Sequence, residues 1–361
     1  MTCGGSQQSM ITGRLASNIK TSPTNKLMKN TTILTMAALL LGSSGLMAQS
    51  TAYTKPSGFV SLGNTSGGDA VPANTDVAIS IPLHQSEVKS LTVASAVSGE
   101  LTVNEALVAG ELLPATGAPY CVAITSGSQE GLIAVITGNT TSTIQGTVSN
   151  GGDLADVEAD SRAVIFKCWT LKTLFPDDLP DGTQVHAFTG TGEGENVSSD
   201  LIYSYFGGAW YDASFVAANN VVVHPGESLI VRSGATPVSS LLITGVVPTF
   251  NHQFPIEKLL SSVGQDTRIG YFGGVGDTLG ASGLGFSDGD TLLGFDNSSL
   301  GINKSASEIF TYFGGDWYNA QFIISNDYKL VGGRGYVYRR AQDAPVGAIK
   351  WSDKQEYRNN L

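Results

Sequence analysis

Histidine is scarce in this chain, with His84, His186, His224 and His252 the only four among 361 residues. Nucleophilic catalysis needs a serine or cysteine with a base in reach, and no G-x-S-x-G elbow accompanies these few imidazoles. Cysteine is scarcer, three in all. The absence of C-x-x-C spacing and of a histidine cluster removes the usual zinc and thiol-redox signatures. Lys and Arg number 20 against 31 Asp and Glu, a formal charge of -11. That balance lacks the basic patch that nucleic acid requires and argues against electrostatic binding to anionic lipid. Long helical periodicity is nearly absent, and no apolar run is long enough to span a bilayer.

What is present begins with a leader. From Met28 the chain reads MKNTTILTMAALLLGSSGLMAQSTA, with Lys29 as the positive region and an apolar run from Ile33 to Leu41. Small residues follow, with a cleavage site expected after Ala48 or Ala52. This pattern predicts a signal peptide over 28–52 and therefore export. Residues 1–27 are polar and aperiodic and precede a complete signal, which marks them as a mis-assigned start. Cleavage after Ala52 removes four cations and no acid, so the mature charge falls to -15 (16 minus 31).

The mature chain reads as β throughout. Runs such as YCVAIT, LIAVIT, AVIFKCW and SLLITGVV are separated by glycine, asparagine, serine and Asp-Gly. Val77, Ile79, Ile81 and Leu83 alternate with smaller residues, the pattern of a half-buried strand. Two segments carry helical spacing, 169–176 and 254–263, the second through Ile256, Leu259, Leu260 and Val263. A 53-residue stretch then recurs without a gap, 107 positions downstream: residues 181–233 and 288–340 share 18 identities. Among these are Phe188/Phe295, Gly194/Gly301, Tyr205/Tyr312, Trp210/Trp317, Gly226/Gly333 and Arg232/Arg339. The expected architecture is all-β, with tandem antiparallel β-sandwich-like modules. An N-terminal β module covers 53–180 and a C-terminal β module covers 181–361. The two copies form either two modules or the halves of one pseudo-symmetric sandwich. Because each supplies only four or five strands, a single face in need of a covering layer, the second arrangement is preferred.

Several segments together resemble a family of exported proteins from the Verrucomicrobiota and neighbouring bacteria. They are GFVSL (58–62), ISIPLHQ (79–85), APYCVAITSGSQEGL (118–132), ITGNTTSTI (136–144), CWTLKTLFP (168–176) and the repeated FGG-WY element. The resemblance implies export and low helix content and no assigned activity, so it transfers no catalytic residue. Cysteine at Cys121 and Cys168 departs from that family, where a polar or aromatic residue is expected.

Candidate sites are few. Cys121 and Cys168, in strand-like segments of an exported protein, form either a disulfide closing about 47 residues or two separate buried thiols. His186 and His224 face Leu293 and Val331 in the second copy, which marks both as structural side chains. Asp181 and Asp288 read as Asp-Gly turns. Asp288, Asp290, Asp296 and Asn297 are the only grouping that suggests calcium, without EF-hand spacing. No other cofactor is expected. The strongest element is YFGGAWY with its partner YFGGDWY. Tyr205, Trp210 and Tyr211, with Tyr312, Trp317 and Tyr318, are either core plugs or an exposed aromatic platform for a sugar or a partner. As plugs, the tryptophans are expected near Phe215 or Phe322 and near the strand bearing Leu229 or Tyr336.

These features favour a non-enzymatic exported structural or adhesive β-protein of the cell envelope or extracellular matrix. A carbohydrate-binding or attachment module using the aromatic platform is the first alternative. A glycan hydrolase, which needs paired acids in a cleft, is the second. An outer-membrane barrel fits least, since the strands are mostly shorter than the ten or so residues such barrels use. Partners are expected to be a glycan or an envelope protein, with no transmembrane anchor, and the isolated protein to be a monomer.

Overall fold

A computed structural model describes residues 55–188, 190, 192–271 and 277–353. The segment 28–52 expected to be a signal peptide and the segment before it lie outside these residues, as do most of the C-terminal tail and most of the GYFGGVG segment at 270–276.

The fold is all-β, and three sets of strands carry it. The chain enters through β1 (Ser57–Ser61) and β2 (Asp76–Ile79). Six strands follow: β3 (Glu87–Val97), β4 (Glu100–Val103), β5 (Tyr120–Ile124), β6 (Ile133–Asn139), β7 (Thr143–Thr147) and β8 (Arg162–Lys167). They close into an antiparallel barrel of order β3-β4-β7-β6-β5-β8. Closure leaves no unpaired edge, and Leu91, Val93, Leu101, Val122, Ile136, Ile144 and Ile165 belong to its buried core. After β9 (Trp169–Thr170) comes a single helical turn, α1 (Leu171–Leu174), whose N-cap Thr170 forms a reciprocal capping box with Thr173.

The first copy of the repeat supplies β10 (Gln184–Ala187), β11 (Leu201–Phe206), β12 (Ala209–Tyr211), β13 (Val222–Val223) and β14 (Leu229–Arg232). Then come β15 (Leu242–Val246), β16 (His252–Ile256) and β17 (Gln265–Gly270). The second copy supplies β18 (Thr291–Gly294), β19 (Glu308–Phe313), β20 (Asp316–Asn319) and β21 (Gly335–Arg340), and β22 (Ile349–Asp353) closes the described chain. Two five-stranded sheets result, β12-β11-β10-β14-β2 and β20-β19-β18-β21-β17. Strand by strand they match. In both, a strand bearing an aspartate near its start pairs with the last repeat strand: Asp76 lies opposite Arg232, and Asp266 opposite Arg339. Two-stranded ribbons also correspond, β1 with β15 and β16 with β22, since β15 and β22 lie 107 residues apart.

The structural repeat is therefore longer than the sequence repeat. The first module takes in β1, β2 and β9 to β15, and the second takes in β16 to β22. Each has its own core, one around Trp210, Val231 and Val77, the other around Trp317, Tyr338 and Phe254. Two modules thus replace the single shared sandwich that was preferred from strand count. Each copy draws its missing layer from flanking strands outside the 53 residues. The barrel sits inside the first module. Leu171 N–H donates to Val221 O and Lys172 N–H to Asn219 O, as Leu279 N–H does to Tyr328 O and Gly280 N–H to Asn326 O. Between the aspartate strand and these contacts the second module has a short link, and the first module has the whole barrel. Residues 57–79, grouped by chain order with the N-terminal module, pair with strands of the first repeat module.

Two local expectations are corrected. Residues 252–256 form a strand, where helical spacing was read over 254–263, because Phe254 and Ile256 pair with Trp351 and Ile349 of β22. Strand β2 is buried on both faces, not half-buried, because the second module covers the face that the alternating pattern left for solvent.

Cys121 and Cys168 are joined by a disulfide, 47 residues apart and both fully buried. They lie with Phe166, Val164 and Phe250 in a small cluster between barrel and ribbon. A closed loop of that length contributes about 4 kcal/mol by restricting the unfolded chain. Replacing both cysteines by alanine, or reducing the bridge, is expected to lower the urea unfolding free energy by about that amount, and denaturant titration of oxidised and reduced protein measures it.

Candidate functional site

The repeated aromatic element divides between inside and outside. Gly207 and Gly208, like Gly314 and Gly315, have positive φ and make the two-residue hairpin loop that joins β11 to β12 and β19 to β20. Asp181 accepts from Gly207 N–H and Asp288 from Gly314 N–H, both at 2.9 Å, which is the role of these Asp-Gly acids. The hairpin turns Trp210 and Trp317 inward, each 1% exposed. Trp210 packs on Phe175 and Tyr205, and Trp317 on Tyr312 and Tyr338. Tyr205 is buried with them, its hydroxyl donating to Asp177 O. Tyr205, Trp210 and Trp317 therefore have no open ring face for a sugar, and the platform reading fails for these three. Tyr312, Tyr211 and Tyr318 are half-buried.

Phe215 and Phe322 were expected against the tryptophans and are instead 71% and 79% exposed. Both adopt left-handed backbone, φ 60° and 58°, a costly conformation for a bulky side chain. The same turn enforces it twice. Asp212 Oδ1 accepts from Ser214 and Val216 N–H, and Asn319 Oδ1 accepts from Gln321 and Ile323 N–H. Phe215 lies against Tyr211 and Phe206, and Phe322 against Tyr318. Exposed Val216, Ile323 and Ile324 extend these patches.

The second feature lies between the modules, which clasp each other reciprocally. Asp76 receives Arg232 through Nε at 2.6 Å and Nη2 at 2.9 Å, and Asp266 receives Arg339 at 2.6 and 3.0 Å. Each pair is completed from the other copy. Asn303 N–H donates to Asp76 and its side chain accepts from Arg232, while Asn196 does the same for Asp266 and Arg339. Asp76 N–H also reaches Gly301 O, as Asp266 N–H reaches Gly194 O. Closer to the centre, Ser80 N–H donates to Gly333 O and Gly270 N–H to Gly226 O. Burial pushes the Asp76 carboxyl up, but the Arg232 hydrogen bonds and the Asn303 N–H outweigh it and hold it below the ordinary carboxylate range.

Around these clasps opens a cleft of about 680 Å³, walled by Phe188, Phe295, Leu293, Ile230 and Val337. His186 lines it, bonded to Ser199 and Gln184, with its pKa lowered by burial and by Arg232. A smaller adjoining cavity of about 190 Å³ holds Glu227 and Asp200. Burial pushes the Glu227 carboxyl up to about 8, with Ser149 opposing. Its volume is below the roughly 300 Å³ of an ordinary small-molecule site, and the second copy has Arg334 and Ser307 at the matching positions.

The calcium candidates are not gathered. Asp288 caps its hairpin, Asp290 is buried and accepts from Tyr338 and from the backbone, Asp296 accepts from Ser298, and Asn297 brackets Ala78. Among the described residues no three His, Cys, Asp or Glu side chains group as a metal site. No helix among them is long and apolar enough to cross a membrane. Asp76, Asp266 and the asparagines escaped the sequence reading. The signal was present in Asn196/Asn303, identical in the repeat, and in DVAIS and DTRIG, which are 190 residues apart and too short to stand out. Comparison with family models, curated proteins and solved structures returns no match.

Two outcomes follow from this geometry. Trp210→Ala and Trp317→Ala are each expected to cost about 3–5 kcal/mol, by similar amounts because the surroundings repeat, as read by denaturant melts. For Glu227 the folded pKa lies above the unfolded value of 4.5, so its contribution to stability is fully present below about pH 4.5 and lost as pH rises through 8. Buried His252, lowered to about 3, acts only below its ordinary 6.5. Between pH 6.5 and 8 the parent is therefore expected to lose stability relative to Glu227→Gln by up to about 1.4 kcal/mol per pH unit, and paired melts across that range test it.

Proposed function

We propose that this chain is an exported, non-enzymatic structural or adhesive β-protein that makes contact through its paired aromatic turns, 211–217 and 318–324. The observation that carries this reading is the pair Phe215 and Phe322. Folding gains little from a phenylalanine more than two-thirds exposed, and left-handed backbone costs about 1–3 kcal/mol at such a residue. That the same strain occurs at matching places in both modules supports a shared contact role. Exposed Val216, Ile323 and Ile324 enlarge the apolar part of both turns, which favours an apolar patch on an envelope protein over a glycan. Two patches on one chain give bivalent attachment, strengthening weak contacts without new ones.

Glycine at either position relieves the strain. The double variant Phe215→Gly/Phe322→Gly is expected to melt at or above the parent temperature while losing most of its co-sedimentation with isolated cell envelopes. Binding to insoluble polysaccharide, lost in the same variant, would transfer the role to carbohydrate. A variant that melts well below the parent, or that co-sediments equally, would overturn the contact role of these turns.

A further inference from the structure

The cleft between the modules is lined by three arginines and two carboxylates, and a third carboxylate, Glu195, pairs with Nη1 of Arg339. Arg232 and Arg339 each grip an aspartate side-on through Nε and Nη2. Arg268 lines the same cleft, and among the described residues its guanidinium has no hydrogen-bond or ion-pair partner. Its guanidinium lies 4.2 Å from the centre of the Phe188 ring and 5.7 Å from that of Phe295, two equivalent residues of the repeat. The cation thus stands between matching walls of the two modules. The first module has Ala78 at the position equivalent to Arg268, opposite Ile230 as Arg268 is opposite Val337.

Stacking on two rings offsets part of the cost of shielding the cation but supplies no hydrogen-bond acceptor. Five N–H donors in a planar fork match a carboxylate best. Counted over its lining, the cleft has Arg232, Arg268, Arg339 and Lys304 against Asp76 and Asp266, an excess of two positive charges in a chain of net charge -11. Lys304 spends its ammonium on Asp296 O and Ser299 O, so Arg268 is the cation left to meet an incoming anion. Walls of Phe188, Phe295, Leu293 and Val337 suit an apolar body beside that anion, and the volume lies within the range of small-molecule sites.

We propose that Arg268 anchors a binding site for a ligand bearing a carboxylate on an apolar or aromatic body. The carboxylate completes at Arg268 the bidentate pair already formed at Arg232 and Arg339, and the body lies along the apolar walls beside that guanidinium. Either a free organic acid or the C-terminal carboxylate of a peptide with an apolar last residue supplies this chemistry.

Calorimetric titration of the full exported chain with N-acetylphenylalanine and with its amide tests the site. So does a hexapeptide ending in phenylalanine, with a free or an amidated terminus. Saturable binding of an acid, at least tenfold weaker for its amide and for the Arg268→Ala variant, is the expected result. Binding of both acids identifies a small acid as sufficient, and binding of the peptide alone identifies a chain terminus. Because alanine already occupies the equivalent position 78, Arg268→Ala is expected to fold. Should it not, the acid and amide titrations of the parent decide alone. Equal binding of acid and amide, unchanged affinity in Arg268→Ala, or no saturable binding up to about 10 mM would overturn the proposal.

Discussion

Two aspartates, Asp76 buried and Asp266 half-buried, each bound by residues of both modules, set the geometry on which the rest depends. Asp76 and Asp266 sit on strands deep enough that an unpaired carboxylate would cost several kcal/mol. Each finds its arginine on the neighbouring strand of its own sheet and its remaining donor, an asparagine N–H, in the loop of the other copy. Asn196 and Asn303 reach that position through left-handed backbone, φ 55° and 51°, which asparagine tolerates better than most residues. Neither module satisfies its own aspartate alone. Such networks contribute more to a unique arrangement than to net stability, and here the arrangement fixed is the orientation of one module on the other, and with it the cleft.

Symmetry then has to break wherever an equivalent pair meets near the centre. A Cβ on Gly270 would lie 2.3 Å from that of Ser80, so only one of these matching positions can bear a side chain. Further out, the equivalent positions Ala78 and Arg268, and His186 and Leu293, also carry different side chains. What the two modules share is structural: hairpin glycines, tryptophan plugs, aspartate clasps and the exposed phenylalanine turns. What they do not share gathers along the cleft, where one arginine faces a wall built twice.

The parts of this fold legible in the sequence are those governed by local geometry. Paired glycines between aromatics permit a tight hairpin, so YFGGAWY and YFGGDWY pointed to the turn, while the side on which the tryptophans lie stayed open between core and platform. The repeat itself announced two equivalent units. Features decided by distant partners were not legible. Ile256 has helical spacing to Leu259 and Leu260, yet pairing with Ile349 makes its segment a strand. Val77 and Ile79 alternate like a half-exposed strand, yet the second module covers the other face. Phe215 looks like a core residue until its backbone sign is known, and nothing in YDASFVA states that sign. The clasp was hidden for a related reason, since its aspartates lie outside the 53 aligned residues and one of them is separated from its module by the barrel.

That separation explains how the first module tolerates so large an insert. Asp76 and Arg232 are 156 residues apart, against 73 for Asp266 and Arg339. For a flexible chain the longer loop adds only about 0.7 kcal/mol of closure entropy, and the folded barrel reduces even this. Its first strand begins at Glu87 and its last ends at Lys167, and these strands are neighbours, with Glu87 opposite Phe166. The insert therefore leaves the barrel beside the point where it enters, and the disulfide from Cys121 to Cys168 ties the exit to the adjacent strand. To the first module the barrel resembles a short connection of nearly fixed width. A closed barrel presents no edge that competes for strand pairing with the five-stranded sheet, so both modules keep the same strand order although only one of them contains a domain.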